Sequence, residues 1–265
     1  GQSNGGSSGS TVSIGSGRIA VAITAGFDHA CAILDDASLV CWGGNGYGQL
    51  GDGTTTTAST SSPASVDLGT GRTAVAVAAG HYHTCAILDN ASLYCWGDNA
   101  GGKLGDGTTT TSSAPVSVDV GAGRSAVAIS AGNYHTCAIL DDASVKCWGI
   151  NNYGNLGDGT TTDRDTPVEA SLPIGRHMAL SERDFDGDGT LNIFDTHMPG
   201  GQSGSIFVTS LFDADYEQTC AISEAGSLYC WGDNGYGELG IGNTTSQNLP
   251  QSVDLGANSY AMSVD

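Results

Sequence analysis

One phrase recurs along the chain and limits what it can become. It reads HACAILDDASLVCWG at 29–43, HTCAILDNASLYCWG at 83–97 and HTCAILDDASVKCWG at 135–149, with a looser copy, QTCAISEAGSLYCWG, at 218–232. Each copy sets two cysteines ten positions apart on either side of a polar turn. Short apolar runs flank that turn, so the phrase predicts a β-hairpin with a cross-strand cysteine pair. Trp42, Trp96, Trp148 and Trp231 follow the second cysteines at intervals of 54, 52 and 83 residues. The last interval is the same period plus roughly 31 inserted residues. A chain of this kind folds as similar units laid side by side.

Around the hairpin a longer template repeats. It opens with a short strand (TVSI at 11–14, SVDL at 65–68, VSVDV at 116–120, SVDL at 252–255) and a glycine turn carrying Arg18, Arg72, Arg124 or Arg176. A run apolar on both faces follows (IAVAIT at 19–24, TAVAVA at 73–78, SAVAIS at 125–130), as a buried inner strand requires. After the hairpin come Gly-rich loops, a Thr/Ser run and a closing proline, Pro63, Pro115, Pro167 or Pro250. Several short strands per repeat of about 52 residues, in a chain with 41 glycines, predict an all-β fold with one propeller blade per repeat. Four such blades make a propeller-type array over residues 11–265, closed on itself or completed by a neighbouring subunit. Residues 1–10, GQSNGGSSGS, form a Gly/Ser tail.

The pairs Cys31–Cys41, Cys85–Cys95, Cys137–Cys147 and Cys220–Cys230 favour disulfides over reduced thiols or zinc, which usually wants C-x-x-C spacing. Four disulfides place the chain outside the cell or on its surface. The sequence begins with Gly, consistent with a removed leader. A net charge of −20 argues against nucleic acid and anionic membranes as partners, and no apolar run is long enough to span a bilayer. The four repeated arginines read as an anion-binding array or, more simply, as ion pairs with hairpin carboxylates such as Asp35 and Asp89. His81 and His83 alternate as metal ligands can, yet His83 and His135 share a repeat position, which favours a structural role. Asp52, Asp106 and Asp158 of the Gly-Asp-Gly-Thr segments offer cation ligands or ordinary turn chemistry. No catalytic constellation appears, so the chain is read as a non-enzyme.

The segments His83 to Leu88, Ser92 to Asn99 and Asn45 to Gly51 resemble the repeat of the regulator of chromosome condensation family, with its Trp-Gly and Gln-Leu-Gly motifs. The resemblance implies a β-propeller. It does not carry over nucleotide exchange or chromatin binding, and points instead to a secreted branch, some members of which bind other proteins. Such propellers usually have seven blades, against four repeats here.

The insert at 177–205 contains DFDGDGTLNIFD, residues 184–195. Asp184, Asp186, Asp188, Asn192 and Asp195 place side-chain oxygens at loop positions 1, 3, 5, 9 and 12, with Thr190 offering its carbonyl at 7. Gly189 supplies the turn, and the spacing wraps one Ca2+. The segment resembles the calcium loops of dockerins. Finally, 11–24 and 252–264 are copies of one segment, giving a surplus strand able to pair with another chain. Two functions follow. The first is an extracellular subunit that self-associates head to tail through its termini into a filament. The second is a secreted monomer that binds a protein or glycan, a reading that the lack of clustered aromatics in the sequence weighs against.

Overall fold

The computed structural model describes residues 12–56, 60–172, 212–215, 217–222 and 227–256. The tail, the calcium loop and the segment beyond residue 256 lie outside the described residues. Within them the chain builds four antiparallel sheets of four strands, each a meander in sequence order. Blade 1 holds β1 (Ala20–Ala25), β2 (His29–Leu34), β3 (Leu39–Gly43) and β4 (Thr60–Ser65). Blade 2 holds β5 (Ala74–Ala79), β6 (His83–Leu88), β7 (Leu93–Gly97) and β8 (Ser112–Val118). Blade 3 holds β9 (Ala126–Ala131), β10 (His135–Leu140), β11 (Val145–Gly149) and β12 (Arg164–Glu169). Blade 4 holds β13 (Phe212–Asp215), β14 (Gln218–Ile222), β15 (Leu228–Gly232) and β16 (Gln247–Ser252).

The repeated phrase forms the two middle strands of each blade. Its register pairs Cys31 with Cys41, Cys85 with Cys95, Cys137 with Cys147 and Cys220 with Cys230. All four pairs are disulfides, with Cα atoms 4.0–4.2 Å apart. Three hairpin tips close alike: Asp36, Asn90 and Asp142 each accept hydrogen bonds from the backbone N–H and hydroxyl of the serine two residues on. Short polar side chains that bond their own backbone in this way are what turns select.

Two expectations change. The sequence assigns no strand to the Thr/Ser runs and prolines that close each repeat, but Pro63, Pro115, Pro167 and Pro250 lie inside β4, β8, β12 and β16. These strands are the outer edge of each sheet, hydrogen-bonded on one side only, where a missing N–H costs nothing. The short strands expected at 65–68, 116–120 and 252–255 are the ends of these edge strands and the connections that leave them. The copy at the start, residues 12–18, forms no strand, and Ile14 packs against blade 1 instead. The inner strands are also less buried than their composition suggests. In β1, Val21 is 45% and Ile23 71% exposed, and Ile23 with Val77, Ile129 and Ala214 of the other inner strands lines an open trough of about 510 Å³.

The apolar cores lie between blades. One joins Cys31, Ile33, Leu39, Cys41 and Leu50 of blade 1 to Ala74, Ala86, Leu88 and Trp96 of blade 2. A second joins the Cys85–Cys95 face of blade 2 to Ala138, Leu140 and Trp148. A third joins the Cys137–Cys147 face to Ala221, Tyr229 and Trp231. The disulfides of blades 1, 2 and 3 therefore face the next blade. On blade 1 the opposite face carries only Ala32, Leu34 and Val40 with half-buried Ile14 and Trp42.

All four disulfides span the same sequence separation of 10, so their cross-link entropy is equal. Replacing Cys85 and Cys95 with alanine is expected to cost about 2–4 kcal/mol from that entropy plus the buried sulfur contacts. The same change at Cys220 and Cys230, where Cys220 is only half-buried, is expected to cost less in denaturant melts.

Candidate functional site

A single backbone carbonyl organises each joint between blades. After the Trp-Gly of one blade, the Gly-rich loop turns back and presents the carbonyl of Gln49, Lys103 or Asn155. An asparagine fixes that loop: Asn45, Asn99 and Asn151 each accept the N–H of the following Leu50, Leu104 or Leu156 at 2.9–3.1 Å. The next blade donates twice to the carbonyl. Trp96, Trp148 and Trp231 give their indole N–H at 2.9, 2.9 and 3.0 Å. Thr84, Thr136 and Thr219 give their hydroxyl at 2.8, 3.1 and 3.0 Å. Each threonine oxygen also lies 2.8 Å from the Nε2 of His29, His83 or His135 on the preceding blade.

This chain fixes the histidine tautomer. A threonine hydroxyl has one proton, and the carbonyl takes it, so histidine Nε2 must donate. Nδ1 of His83 and of His135 has no hydrogen-bond partner. Both rings are fully buried and neutral, and burial lowers their pKa, to about 4 for His135 and well below the usual histidine value for His83. For His29 burial again dominates, against a weaker pull from Asp28, and leaves the pKa at about 4. His83 and His135 are thus structural, as their repeat position implied.

The other candidates from the sequence resolve the same way. Arg18 pairs with Asp35 and Asp36, Arg72 with Asp89, and Arg124 with Asp141 and Asp142, so these three arginines tie the glycine turn to the hairpin tip. Asp52, Asp106 and Asp158 accept from the threonine two residues on and from the loop asparagine. Burial alone would raise the pKa of Asp52 and Asp158, but these bonds hold both below the usual carboxylate value. Asp158 is further gripped by both Arg164 nitrogens at 2.7 and 2.9 Å. Among the described residues no group of three or more His, Cys, Asp or Glu is placed to hold a metal. Asp184, Asp186, Asp188, Thr190, Asn192 and Asp195 lie outside them.

The face that carries these loops holds what the sequence concealed. Its inner turns run Gly26-Phe27-Asp28, Gly80-His81-Tyr82 and Gly132-Asn133-Tyr134. A Cβ on Gly26 would strike the Gly80 carbonyl oxygen, and one on Gly80 the Gly132 carbonyl, so adjacent turns touch backbone to backbone. That contact brings rings from separate repeats together. His81 stacks on Tyr82 with centroids 4.1 Å apart, Phe27 meets His81 edge-on at 4.2 Å, and Tyr47 tilts over Tyr82 at 4.9 Å. Tyr134 lies 6.0 Å from His81, with the Lys103 ammonium 5.7 Å from its ring centre and paired with Asp98. The Asp28 carboxylate lies near enough to the rings to act electrostatically on His81.

The profile of the regulator of chromosome condensation (RCC1) repeat matches residues 36–87, 90–139 and 225–264, more than half of the sequence. The chain belongs to the RCC1 repeat family. A second RCC1 repeat profile matches 20–49, 74–102 and 126–155. The ultraviolet-B receptor UVR8 of Arabidopsis thaliana is 29% identical over 261 residues, covering 89% of this chain and 58% of the receptor. The human E3 ubiquitin-protein ligase HERC2 is 26% identical over 87% of this chain, which spans only 4% of that protein. Among solved structures, human WBSCR16 superposes with a TM-score of 0.68 at 23% identity, over 89% of this chain and 53% of that one. Yeast RCC1 (Prp20), solved bound to Kap60, gives 0.66 at 18% identity, over 90% of this chain and 50% of that one. These likenesses show the fold, that of an RCC1-type propeller repeat protein, and this chain spans from 4% to 58% of the length of these proteins.

The buried histidines make stability depend on pH. Their folded pKa values lie below the unfolded value of 6.5, so the unfolded chain binds protons first as pH falls. Stability should be flat above about pH 7 and fall between 6.5 and about 4, by roughly 3 kcal/mol for each of His29 and His135. His83→Gln, which imports the residue blade 4 carries at Gln218, should reduce the protons taken up on unfolding near pH 5 by about one. Denaturant midpoints measured across that range check both.

Proposed function

We propose that this chain is an extracellular interaction and assembly protein rather than an enzyme, and that its blade-to-blade joint is also its contact with a second copy. The supporting observation is the state of the two outer blade faces. In blade 4 the loop asparagine, Asn234, accepts from Leu239 at 3.0 Å as in the other blades, so the loop is formed. Yet Glu238, the counterpart of buried Gln49, Lys103 and Asn155, is exposed, and Tyr236 beside it is 95% exposed. A Cβ on Gly51, Gly105 or Gly157 would press on a tryptophan indole, whereas one on Gly240 meets only Val253. On blade 1, Trp42 is half-buried where the other three tryptophans are fully buried.

The residues at those faces match each other. Three joints use a His–Thr pair, and the two departures from it, Gln218 for His and Ala30 for Thr, sit on the faces that would meet. A histidine there would face the Ala30 methyl with a buried Nε2–H and no acceptor, at a cost of about 1–3 kcal/mol. Glutamine has three rotatable bonds and can turn its amide to solvent. Trp42 would then donate to the Glu238 carbonyl. This contact uses blade faces, not the strand pairing that the duplicated terminal segments suggest. Partner binding supports the same class: yeast RCC1 (Prp20) was solved with Kap60 bound.

Four disulfides support an extracellular or cell-surface setting. The −20 charge opposes association at low ionic strength, so salt should favour it. Light scattering of the intact chain should show oligomers that grow with concentration and salt. Trp42→Ala, which removes about 100 Å² of newly buried indole or ~2.5 kcal/mol, should weaken association roughly 60-fold while the disulfides and melting curve persist. A chain that stays monomeric throughout, or a Trp42→Ala variant that assembles as well, overturns the reading in favour of a monomeric binding module. The aromatic face is the observation that favours that second reading.

The calcium loop enters as a proposal from sequence spacing: Asp184, Asp186, Asp188, Asn192, Asp195 and the Thr190 carbonyl bind one Ca2+ and order the insert. Calorimetry of the intact chain should show calcium binding that Asp184→Ala removes. No binding at millimolar calcium contradicts it.

A further inference from the structure

From the aromatic cluster on the loop face we infer that this protein binds a cationic side chain, an arginine of a protein partner, between Phe27, Tyr47 and Asp28. The proposal concerns a different surface from the blade-end contact and does not depend on it.

Three observations carry it. First, apolar surface stands in solvent without a packing role: Phe27 is 70% and Tyr47 44% exposed, although both rings are held by neighbours. Phe27 is fixed edge-on by His81 at 4.2 Å and by Tyr82 at 5.8 Å, and Tyr47 leans on Tyr82 at 4.9 Å. Four rings from two blades thus form a rigid surface at the rim of the axial trough, which Phe27 also lines.

Second, a carboxylate is built into this surface by a fully buried residue. Gln49 accepts the Tyr47 backbone N–H at 2.9 Å through Oε1 and donates from Nε2 to Asp28 Oδ1 at 3.0 Å. One amide therefore sets both the tyrosine loop and the acid. Asp28 has no arginine or lysine ion pair among the described residues, and its side chain is 38% exposed. The neighbouring His81 does not compete as a cation. Its two ring nitrogens are shielded and without hydrogen-bond partners, and burial, with Lys103 nearby, lowers its pKa.

Third, the next joint contains the same recognition already satisfied. There Lys103 replaces Gln49 in the repeat, its ammonium paired with Asp98 and 5.7 Å from the Tyr134 ring centre. A cation between a carboxylate and a tyrosine face is thus a stable arrangement in this fold. Blade 1 has the acid and the rings but glutamine in place of the lysine, so the cation must come from outside. Aromatic faces attract cations through their quadrupole, most strongly where water is partly excluded, and guanidinium also stacks on rings. The edge-on and tilted rings form a notch rather than the flat platform a sugar would stack on. The charge of −20 steers basic partners toward it.

The test is fluorescence anisotropy of a labelled peptide of four Gly-Arg repeats, titrated with the intact protein at physiological salt. Phe27→Ala and Asp28→Asn should each weaken binding at least tenfold, and a peptide with citrulline for arginine should lose binding. Asp119→Asn, at an exposed turn on the opposite face, should change binding less than twofold, and Trp42→Ala should leave it intact. In the unmodified protein the peptide should shift the ring resonances of Tyr47 and Tyr82. The proposal is overturned if Asp119→Asn weakens binding as much as Asp28→Asn, which would mean diffuse charge attraction. It is equally overturned if Phe27→Ala has no effect, if millimolar peptide neither binds nor shifts those resonances, or if neutral oligosaccharides bind in a Phe27-dependent way instead.

Discussion

The fold depends on a carbonyl group that accepts two hydrogen bonds from the next blade. At Gln49, Lys103 and Asn155 that oxygen is buried and would be costly if left bare, so each blade needs its successor. The donors are the indole and the threonine hydroxyl, and the threonine in turn orients a neutral histidine on the preceding blade. Each tryptophan also buries an area worth ~4–6 kcal/mol by transfer, so one side chain supplies both the apolar and the polar part of the joint. A four-stranded sheet with one disulfide has little core of its own. The cores lie between blades, and the disulfides of blades 1, 2 and 3 form part of them.

What the sequence made legible was what repeats. Cysteines ten apart predicted the hairpin and its register, and the arginine position predicted the ion pairs with Asp35 and Asp89. The Gly-Asp-Gly-Thr turns were equally open to a turn reading, and Asp52, Asp106 and Asp158 bond within their own loops, to the threonine two residues on and the asparagine seven residues before. Less legible was the place of each strand in the blade. The Thr/Ser run and proline at 60–65 mark only the end of the repeat in the sequence, yet they form an edge strand, whose free side tolerates proline. The apolar run 19–24 argued for burial, yet its burial depends on how the inner strands surround the axis.

The aromatic face was not legible, for a physical reason. Phe27, His81 and Tyr82 come from positions that vary between repeats, and Phe27 and Tyr82 lie 55 residues apart in sequence. Only the backbone contact of Gly26 with the Gly80 turn makes them neighbours. A faint signal existed: the turns AGFDH, AGHYH and AGNYH change their middle residues inside an otherwise constant frame. Variation confined to one turn of a regular repeat is where a scaffold places recognition. The constant joint holds the blades together, and the variable face is where we propose that a partner binds.

The central claim is that one tryptophan–carbonyl joint, used three times inside the chain, is also the contact open at its outer faces. The four indole N–H groups report on it directly by hydrogen exchange in nuclear magnetic resonance spectra. In dilute protein the indoles of Trp96, Trp148 and Trp231 should exchange only through unfolding, while that of Trp42 exchanges orders of magnitude faster. On concentrating the protein, the Trp42 signal should slow toward the other three. Four indoles equally protected in the monomer, or a Trp42 rate that ignores concentration while the protein self-associates, would contradict the account.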